Sequence, residues 1–559
     1  MAEKGRSTKT LNVQAVPAVV SCYTGVVKVL LVQPPIEDFY DTSIRTYPLG
    51  LSYIAARVRD ICDVAILDCR TGFGPRHPED EGFPELAPYY RDDRQTPFSL
   101  FRRYARYGMA GREIEAAIRE ARPDVVAIAS SITAYSREAR KVAAIAKGVD
   151  DGIITVMGGT HATLFPGQLL GGGNVDYVVR GEGETPFFEL TVALASGNAG
   201  SMTSIPGLSF HRCGSLHIGG THIEDDIDLI PARDLLPVER YRIGKRPYTF
   251  LLTSRGCPFG CSFCGKPPVP YRRRALQSIE KELSGIERLG ITSIDFEDDM
   301  LNLDIPFFHR VLDLVKGRGF VLSAMNGLYS HTLDTATLTK MRDAGFSRLN
   351  FSLVDTSPTV HSTQRRRYPA NFLGLLDWLE SSDFLVETHF IIGLPGQTPR
   401  EIIDTMTFLA GKRMLPGPSV YYPAPGSPLF DDIRGGEASH FFPMTRSSVM
   451  FQANPLFPRE TTFTFMKLLR FMNVVKALID ANPGASALVD LAHADRLKKN
   501  PRDLHIFTSL LRERRFLWFD TRGNDYVEEP QDHALVAAFF GALEGMTIKG
   551  FRTSNTVRA

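Results

Sequence analysis

Short apolar runs alternate with amphipathic helical stretches in two separate blocks of this chain, and that alternation excludes all-helical and all-strand folds. In the first block strands are legible at "VVKVLLVQ" (26–33), "DVAILD" (63–68), "DVVAIAS" (124–130), "GIITVMGG" (152–159) and "DYVVRGEGE" (176–184). Five such units predict an N-terminal Rossmann-like, doubly wound parallel sheet with its ligand at the carboxyl ends of the strands. Those ends read "QPP", "DCRTGFG", "SSIT", "GGTHAT" and "GEGE". Glycines and small hydroxyls there suit a large ligand pressed against backbone. In the second block strands are expected at 249–254, 293–299, 321–327, 348–354, 386–393 and 419–425, with helices such as "ALQSIEKELSGIERLG" and "REIIDTMTFLAGKR" between them. Six alternations predict a partial (β/α)6 barrel, whose active site lies at the carboxyl ends of its strands.

A chain of 559 residues should divide into about three domains. The expected division is an N-terminal extension (1–26), the Rossmann-like domain (27–198), a linker with a short hairpin (199–245), the barrel (246–435) and a mostly helical C-terminal domain (436–559) covering the barrel mouth. A formal charge of +1 gives no global pull toward nucleic acid or membrane. The early apolar run "VQAVPAVVSCYTGVV" is interrupted before it could span a bilayer, so no membrane span and a cytoplasmic location are expected. The basic runs at 272–274 and 365–367 lack interleaved aromatics and read as solvated loops; Glu280 and Glu282, at the start of the first barrel helix, read as solvated too, with an approach of one of them to the thiol loop as the alternative. Of the seven cysteines, Cys22, Cys62, Cys69 and Cys213 are scattered, which argues against a disulfide framework.

The other three crowd into "TSRGCPFGCSFCGK" (253–266), where Cys257, Cys261 and Cys264 follow C-x3-C-x2-C with Gly256 and Gly260 allowing a tight loop. Convergent thiolates bind metal, and a closed zinc site would want a fourth ligand nearby. No cysteine follows Cys264. Three ligands suit a 4Fe–4S cluster with one iron left open, with a zinc site or a chance grouping as the alternatives.

This loop, including Phe263 before the last cysteine, resembles the signature of the radical S-adenosylmethionine (SAM) superfamily. The resemblance implies that Cys257, Cys261 and Cys264 hold the cluster, whose open iron binds SAM and passes it an electron to generate a deoxyadenosyl radical. An external electron donor such as flavodoxin or ferredoxin is then needed. The turn "GLPGQ" (393–397) resembles the family's segment beside the adenine, which assigns Gly393 and Pro395 to cofactor binding. Asp298 and Asn326 fall at the same mouth as cofactor candidates, and Asp299 and Asp355 as catalytic ones. Capping of the next helix is the plainer reading of Asp298 and Asp299.

The N-terminal half resembles the cobalamin-binding domain that precedes the barrel in one large subgroup of that family. The resemblance places Ser130, Ser131 and Thr133 along the cobalamin nucleotide tail, lets Gly158 and Gly159 approach it closely, and has Gly181, Glu182 and Gly183 close the site. The departure is at "LDCRTGFG", where related domains carry a cobalt-binding histidine and this chain has Arg70 between Asp68 and Gly72. A guanidinium has no free lone pair for cobalt. Taken together, the resemblance implies a methyltransferase using cluster, SAM and cobalamin on a small-molecule or peptide substrate, with no nucleic acid partner. The alternative is a non-methylating cyclisation or C–C bond formation with the same cofactors.

Overall fold

Strand β1 (Val27–Gln33) feeds two cores at once. Val27, Val29 and Leu31 pack on one face with Ala55, Val58 and Leu190, while Leu30 and Val32 pack on the other with Ile114, Ile118 and Val142. Burial on both faces is what a central parallel strand requires, and it explains the nearly unbroken apolar run. The computed structural model describes residues 26–551 except 41–45, 81, 91–93, 101–102, 198, 213, 434–437, 483–487 and 489. Residues 1–25 of the expected N-terminal extension, with Cys22, and also Cys213, lie outside the described residues.

Beside β1 run β2 (Cys62–Asp68), β3 (Val125–Ala129), β4 (Ile154–Gly158) and β5 (Tyr177–Val179), all parallel, in the order β5-β4-β3-β1-β2. The winding reverses between β1 and β3, so a crevice opens at their carboxyl ends, the usual ligand position in such sheets. The hairpin Leu208–Arg212 and Ser215–His217 extends the β5 edge antiparallel.

The second block forms β6 (Arg246–Leu251), β7 (Ser293–Phe296) and β8 (Val321–Ser323) in one parallel sheet, and β9 (Arg348–Val354), β10 (Leu385–Ile392) and β11 (Leu415–Val420) in another. Isolated parallel bridges at Leu322/Phe346 and Leu328/Phe351 join them into one curved wall of six strands. Helices α1 (Leu276–Arg288), α2 (Ile305–Val315) and α3 (Pro399–Ala410) cover it. Asp304 caps α2 by accepting the Phe307 amide at 3.0 Å, so neither Asp298 nor Asp299 is the cap of that helix.

The C-terminal part is not a separate core. Helix α4 (Arg459–Ala481) packs against β11 and α3, and Phe465, Leu468 and Phe539 join the same apolar cluster as Leu251 and Phe296. One hairpin, Leu517–Asp520 with Asp525–Glu528, interrupts the helices and pairs with Arg94–Gln95 from the N-terminal half. No described helix is long and apolar enough to cross a membrane.

Candidate active site

The loop leaving β6 carries the three thiols, and a backbone crossing sets its shape. Gly256 lies at φ +94°, and a Cβ there would come within 2.3 Å of the Pro270 carbonyl oxygen. Glycine is therefore required where the two arms of the loop meet. Ser254–Arg255 pairs antiparallel with Arg272–Arg273 to form the stem, and the Val269 amide donates to the Cys257 carbonyl at 2.9 Å. Cys257, Cys261 and Cys264 are free and half-buried. Burial pushes the Cys257 thiol up, and the negative fields of Asp299, Cys264 and Cys261 add to it. Three thiols that repel one another as they ionise are stabilised by a bound cationic centre.

Two basic groups offset that charge. Arg366 directs Nη1 to the Cys261 sulfur at 3.9 Å and Nη2 to the Ser352 carbonyl at 3.1 Å, and Lys266 pairs with Asp299. Among the described residues no set of three or more His, Cys, Asp or Glu is placed around a single metal ion. The donor set of three thiols on one loop suits the larger body of an iron–sulfur cluster rather than a closed mononuclear zinc site.

Behind the loop, Asp298 is buried and fully used. It accepts the Thr253 amide at 3.0 Å, the Thr253 hydroxyl at 2.8 Å and the Ser254 hydroxyl at 2.5 Å, fixing the point where β6 becomes the cysteine loop. Burial nonetheless raises its pKa to about 6. The carboxylate of Asp298, expected to touch a cofactor, thus faces protein donors. Asp355, expected in a catalytic role, differs further: it has no exposed surface and accepts the Ser357 amide at 2.7 Å, Gln397 Nε2 at 2.7 Å and the Thr405 hydroxyl at 3.3 Å. Its pKa, raised to about 6 by burial, reflects enclosure rather than access to substrate.

Asp355 instead anchors the turn at 393–397. Gln397, held by Asp355, accepts the Gly393 amide at 2.8 Å and the Leu394 amide at 3.1 Å. Gln364 then joins that turn to the cysteine loop, donating to the Pro395 carbonyl at 3.1 Å while its own oxygen accepts the Ser262 hydroxyl at 2.5 Å. Phe263 packs with Val354, Leu394 and Tyr421. Asn326 is exposed and donates to the Glu297 carbonyl at 3.0 Å. The loop, the turn and Asp299 therefore share one mouth, and Asp298 and Asp355 brace it from inside.

At the Rossmann-like strand ends, Gly159 (φ +108) brings the β4 loop so close to β3 that a Cβ would lie 2.9 Å from the Ser130 carbonyl. Thr133 is buried and Ser131 exposed. The Ser130 hydroxyl, the Thr71 hydroxyl and both ring nitrogens of His161 are buried without hydrogen-bond partners among the described residues. Burial, aided by Arg140, lowers the His161 pKa to about 4, so the ring is neutral. Orphaned polar atoms clustered at one end of a sheet fit a polar ligand that completes them. The Arg70 amide donates to Asp68 at 2.9 Å, and Asp68 also accepts the Tyr241 hydroxyl at 2.7 Å, which fixes the loop from Asp68 to Gly72.

The segment expected to close that pocket does more. Glu182 pairs with Arg272, Nη2 to Oε1 at 2.7 Å, and Glu184 with Arg255 at 2.6 Å, so the loop after β5 grips the stem of the cysteine loop. Despite burial, Arg272 and Arg255 hold the Glu182 carboxyl below its ordinary range. The basic runs read as solvated are thus corrected: Arg272 bridges the two halves, Arg274 is buried against Glu282, and Arg366 reaches a cysteine. Glu282, also read as solvated, is buried between Arg233 and Arg274.

A parallel sheet with a polar crevice, tied by two ion pairs to a curved barrel whose first loop presents three free thiols, defines an α/β architecture with two candidate sites. Sequence comparison agrees: the B12 binding domain family matches residues 103–191 and the Radical SAM superfamily matches residues 251–409. The chain thus carries a B12 binding domain match followed by a radical SAM domain match, in that order. It is 29% identical to an uncharacterized methyltransferase of Pyrococcus horikoshii over 68% of this chain and 78% of that protein. It is 27% identical to the cytidylyl-2-hydroxyethylphosphonate methyltransferase of Streptomyces wedmorensis over 66% of this chain and 73% of that one. In fold it resembles the radical SAM methyltransferase TsrM from Kitasatospora setae, solved with cobalamin and a 4Fe–4S cluster, at TM-score 0.54 and 18% identity over 74% of this chain and 76% of that chain.

Proposed function

We propose that the protein is a cobalamin-dependent radical SAM methyltransferase, with residues 27–198 holding cobalamin and 246–435 holding the cluster and SAM. The observation that supports this reading is the ion-paired grip of Glu182 and Glu184 on the stem of the cysteine loop, which ties the loop after β5 to the loop after β6. When bound, the cluster with SAM supplies a radical that removes hydrogen, and cobalamin supplies the methyl group.

The chain's own residues hold and position these groups. Cys257, Cys261 and Cys264 ligate the cluster, with Arg366 and Lys266 moderating its charge. Gly393 and Pro395 present backbone to SAM, braced by Gln397 and Asp355. Asp299, partly exposed beside Cys257, is the carboxylate left at the mouth for SAM or substrate. Ser130, Ser131, Thr133, Gly158 and Gly159 line the cobalamin tail. An electron donor such as flavodoxin or ferredoxin and a cytoplasmic setting, where thiols stay reduced, belong to the same reading. The experiment is product analysis of anaerobically reconstituted protein: S-adenosylhomocysteine and deoxyadenosine together mark methyl transfer, deoxyadenosine alone the non-methylating alternative.

Arg70, on the loop fixed by Asp68, would stand at the cobalamin site as a cation with no lone pair to offer the metal. A cation there would disfavour a strongly donating protein ligand to the metal. Electron paramagnetic resonance of the cob(II)alamin form should show no nitrogen splitting from a lower ligand, and Arg70→His should introduce it and slow turnover. Nitrogen splitting in the parent, or parental turnover by Arg70→Ala, would contradict this role.

A further inference from the structure

A cavity of about 350 Å³ lies where β11, helix α4 and Tyr40, Tyr90 and Leu100 of the N-terminal half meet. Its wall is Tyr40, Tyr90, Met450 and Met466, and one end carries Arg470 and Asn473. That volume falls within the roughly 300–1,000 Å³ of small-molecule sites.

Val420, which lines the cavity, ends β11, and the chain beyond it runs on to the thiol loop. Phe263 packs against the same cluster as Tyr421, and a Cβ at Gly265 would come within 2.5 Å of the Pro425 carbonyl oxygen. The cavity therefore has β11, on its way to the thiol loop, along one wall and α4 along another.

The far end has unmet polar capacity. Arg470 donates Nε to the Ser99 carbonyl at 3.1 Å, and among the described residues it has no carboxylate partner, so the fork of its guanidinium is open. Asn473 donates Nδ2 to the Pro416 carbonyl at 3.1 Å, while its Oδ1 is buried without a donor. A guanidinium fork is matched by a carboxylate or phosphate, and an orphaned amide oxygen by an N–H or O–H. Tyrosines and methionines accommodate a flat apolar body through ring and thioether contacts.

We propose that this cavity is the substrate site, and that it selects a small molecule with a flat apolar body, an anionic end on Arg470 and a hydrogen-bond donor to Asn473 Oδ1. This rests on the methyltransferase reading for the word substrate, but the binding chemistry can be tested separately. The probes are 2-naphthoate and its neutral counterpart 2-naphthylmethanol, titrated calorimetrically into the full-length reconstituted protein.

Saturable binding of 2-naphthoate is expected, weakened about tenfold or more by Arg470→Gln, with 2-naphthylmethanol unaffected by the same change. Arg470 is exposed and outside the core, so that variant should fold as the parent does. Naphthoate that fails to saturate the parent, or binds Arg470→Gln as tightly as the parent, would overturn the assignment. Deoxyadenosine formation from SAM is followed in the same preparations. Cleavage without naphthoate binding sinks the pocket and leaves the function standing; Arg470-dependent binding without cleavage does the reverse.

Discussion

Cys261→Ala is expected to give a folded protein that has lost iron and forms no deoxyadenosine from SAM. Cys261 sits on a loop and is only half-buried, so its removal takes no packing from the barrel core. Its sulfur is, however, the one that Arg366 approaches, and two thiols cannot hold a cluster with a single open iron. Iron content, the spectrum of the reduced cluster and deoxyadenosine yield should all fall to background while far-ultraviolet circular dichroism stays parental. Parental deoxyadenosine formation by the variant would remove the thiol loop from the mechanism.

The second large effect is on stability. Glu282 on α1 lies between Arg233 and Arg274, with relative exposures of 0%, 3% and 0% for the three side chains. Arg233 in turn donates to the Thr249 hydroxyl at 2.8 Å and to the Phe250 carbonyl, and Arg274 to the Leu252 carbonyl at 2.9 Å. The triad thus ties the first barrel strand to the chain returning from the cysteine loop. Glu282→Ala would leave two guanidinium groups buried without a counter-charge, a loss of about 3–5 kcal/mol. Denaturant or thermal unfolding should register it, and cluster retention should fall in parallel because the loop's return strand is released. A variant within ~0.5 kcal/mol of the parent would show that water or neighbouring carbonyls already solvate both arginines.

The strands were legible because buried parallel strands write themselves as apolar runs: β9 falls at 348–354 as read, and the barrel's other strands begin within a few residues of expectation except β11, which starts earlier at Leu415 because "LPGPSV" hides its first half among prolines and glycine. The cysteine loop was legible from spacing alone. The bracing groups were not, since they depend on which distant residue a side chain meets. Glu282 did leave a signal. It occupies the buried stripe of α1 with Ile279, Leu283 and Ile286, so a charged residue stood on the apolar face and demanded a partner. The pairs Glu182–Arg272 and Glu184–Arg255 left none, because 90 and 71 residues separate their members. Asp355 was misplaced for a related reason: it does follow a strand end at the barrel mouth, but its side chain turns back to Gln397, Thr405 and the Ser357 amide.

The most direct test of the account follows the methyl group. The reconstituted protein, carrying its cluster and cobalamin, is reduced and given SAM labelled in the methyl group, and the corrinoid and nucleoside products are separated. Label on the corrinoid, S-adenosylhomocysteine in equal amount, and deoxyadenosine that disappears in Cys261→Ala are the predicted results. An unlabelled corrinoid under conditions that yield deoxyadenosine would contradict methyl transfer through the N-terminal sheet and leave the chain a radical SAM enzyme of the non-methylating kind.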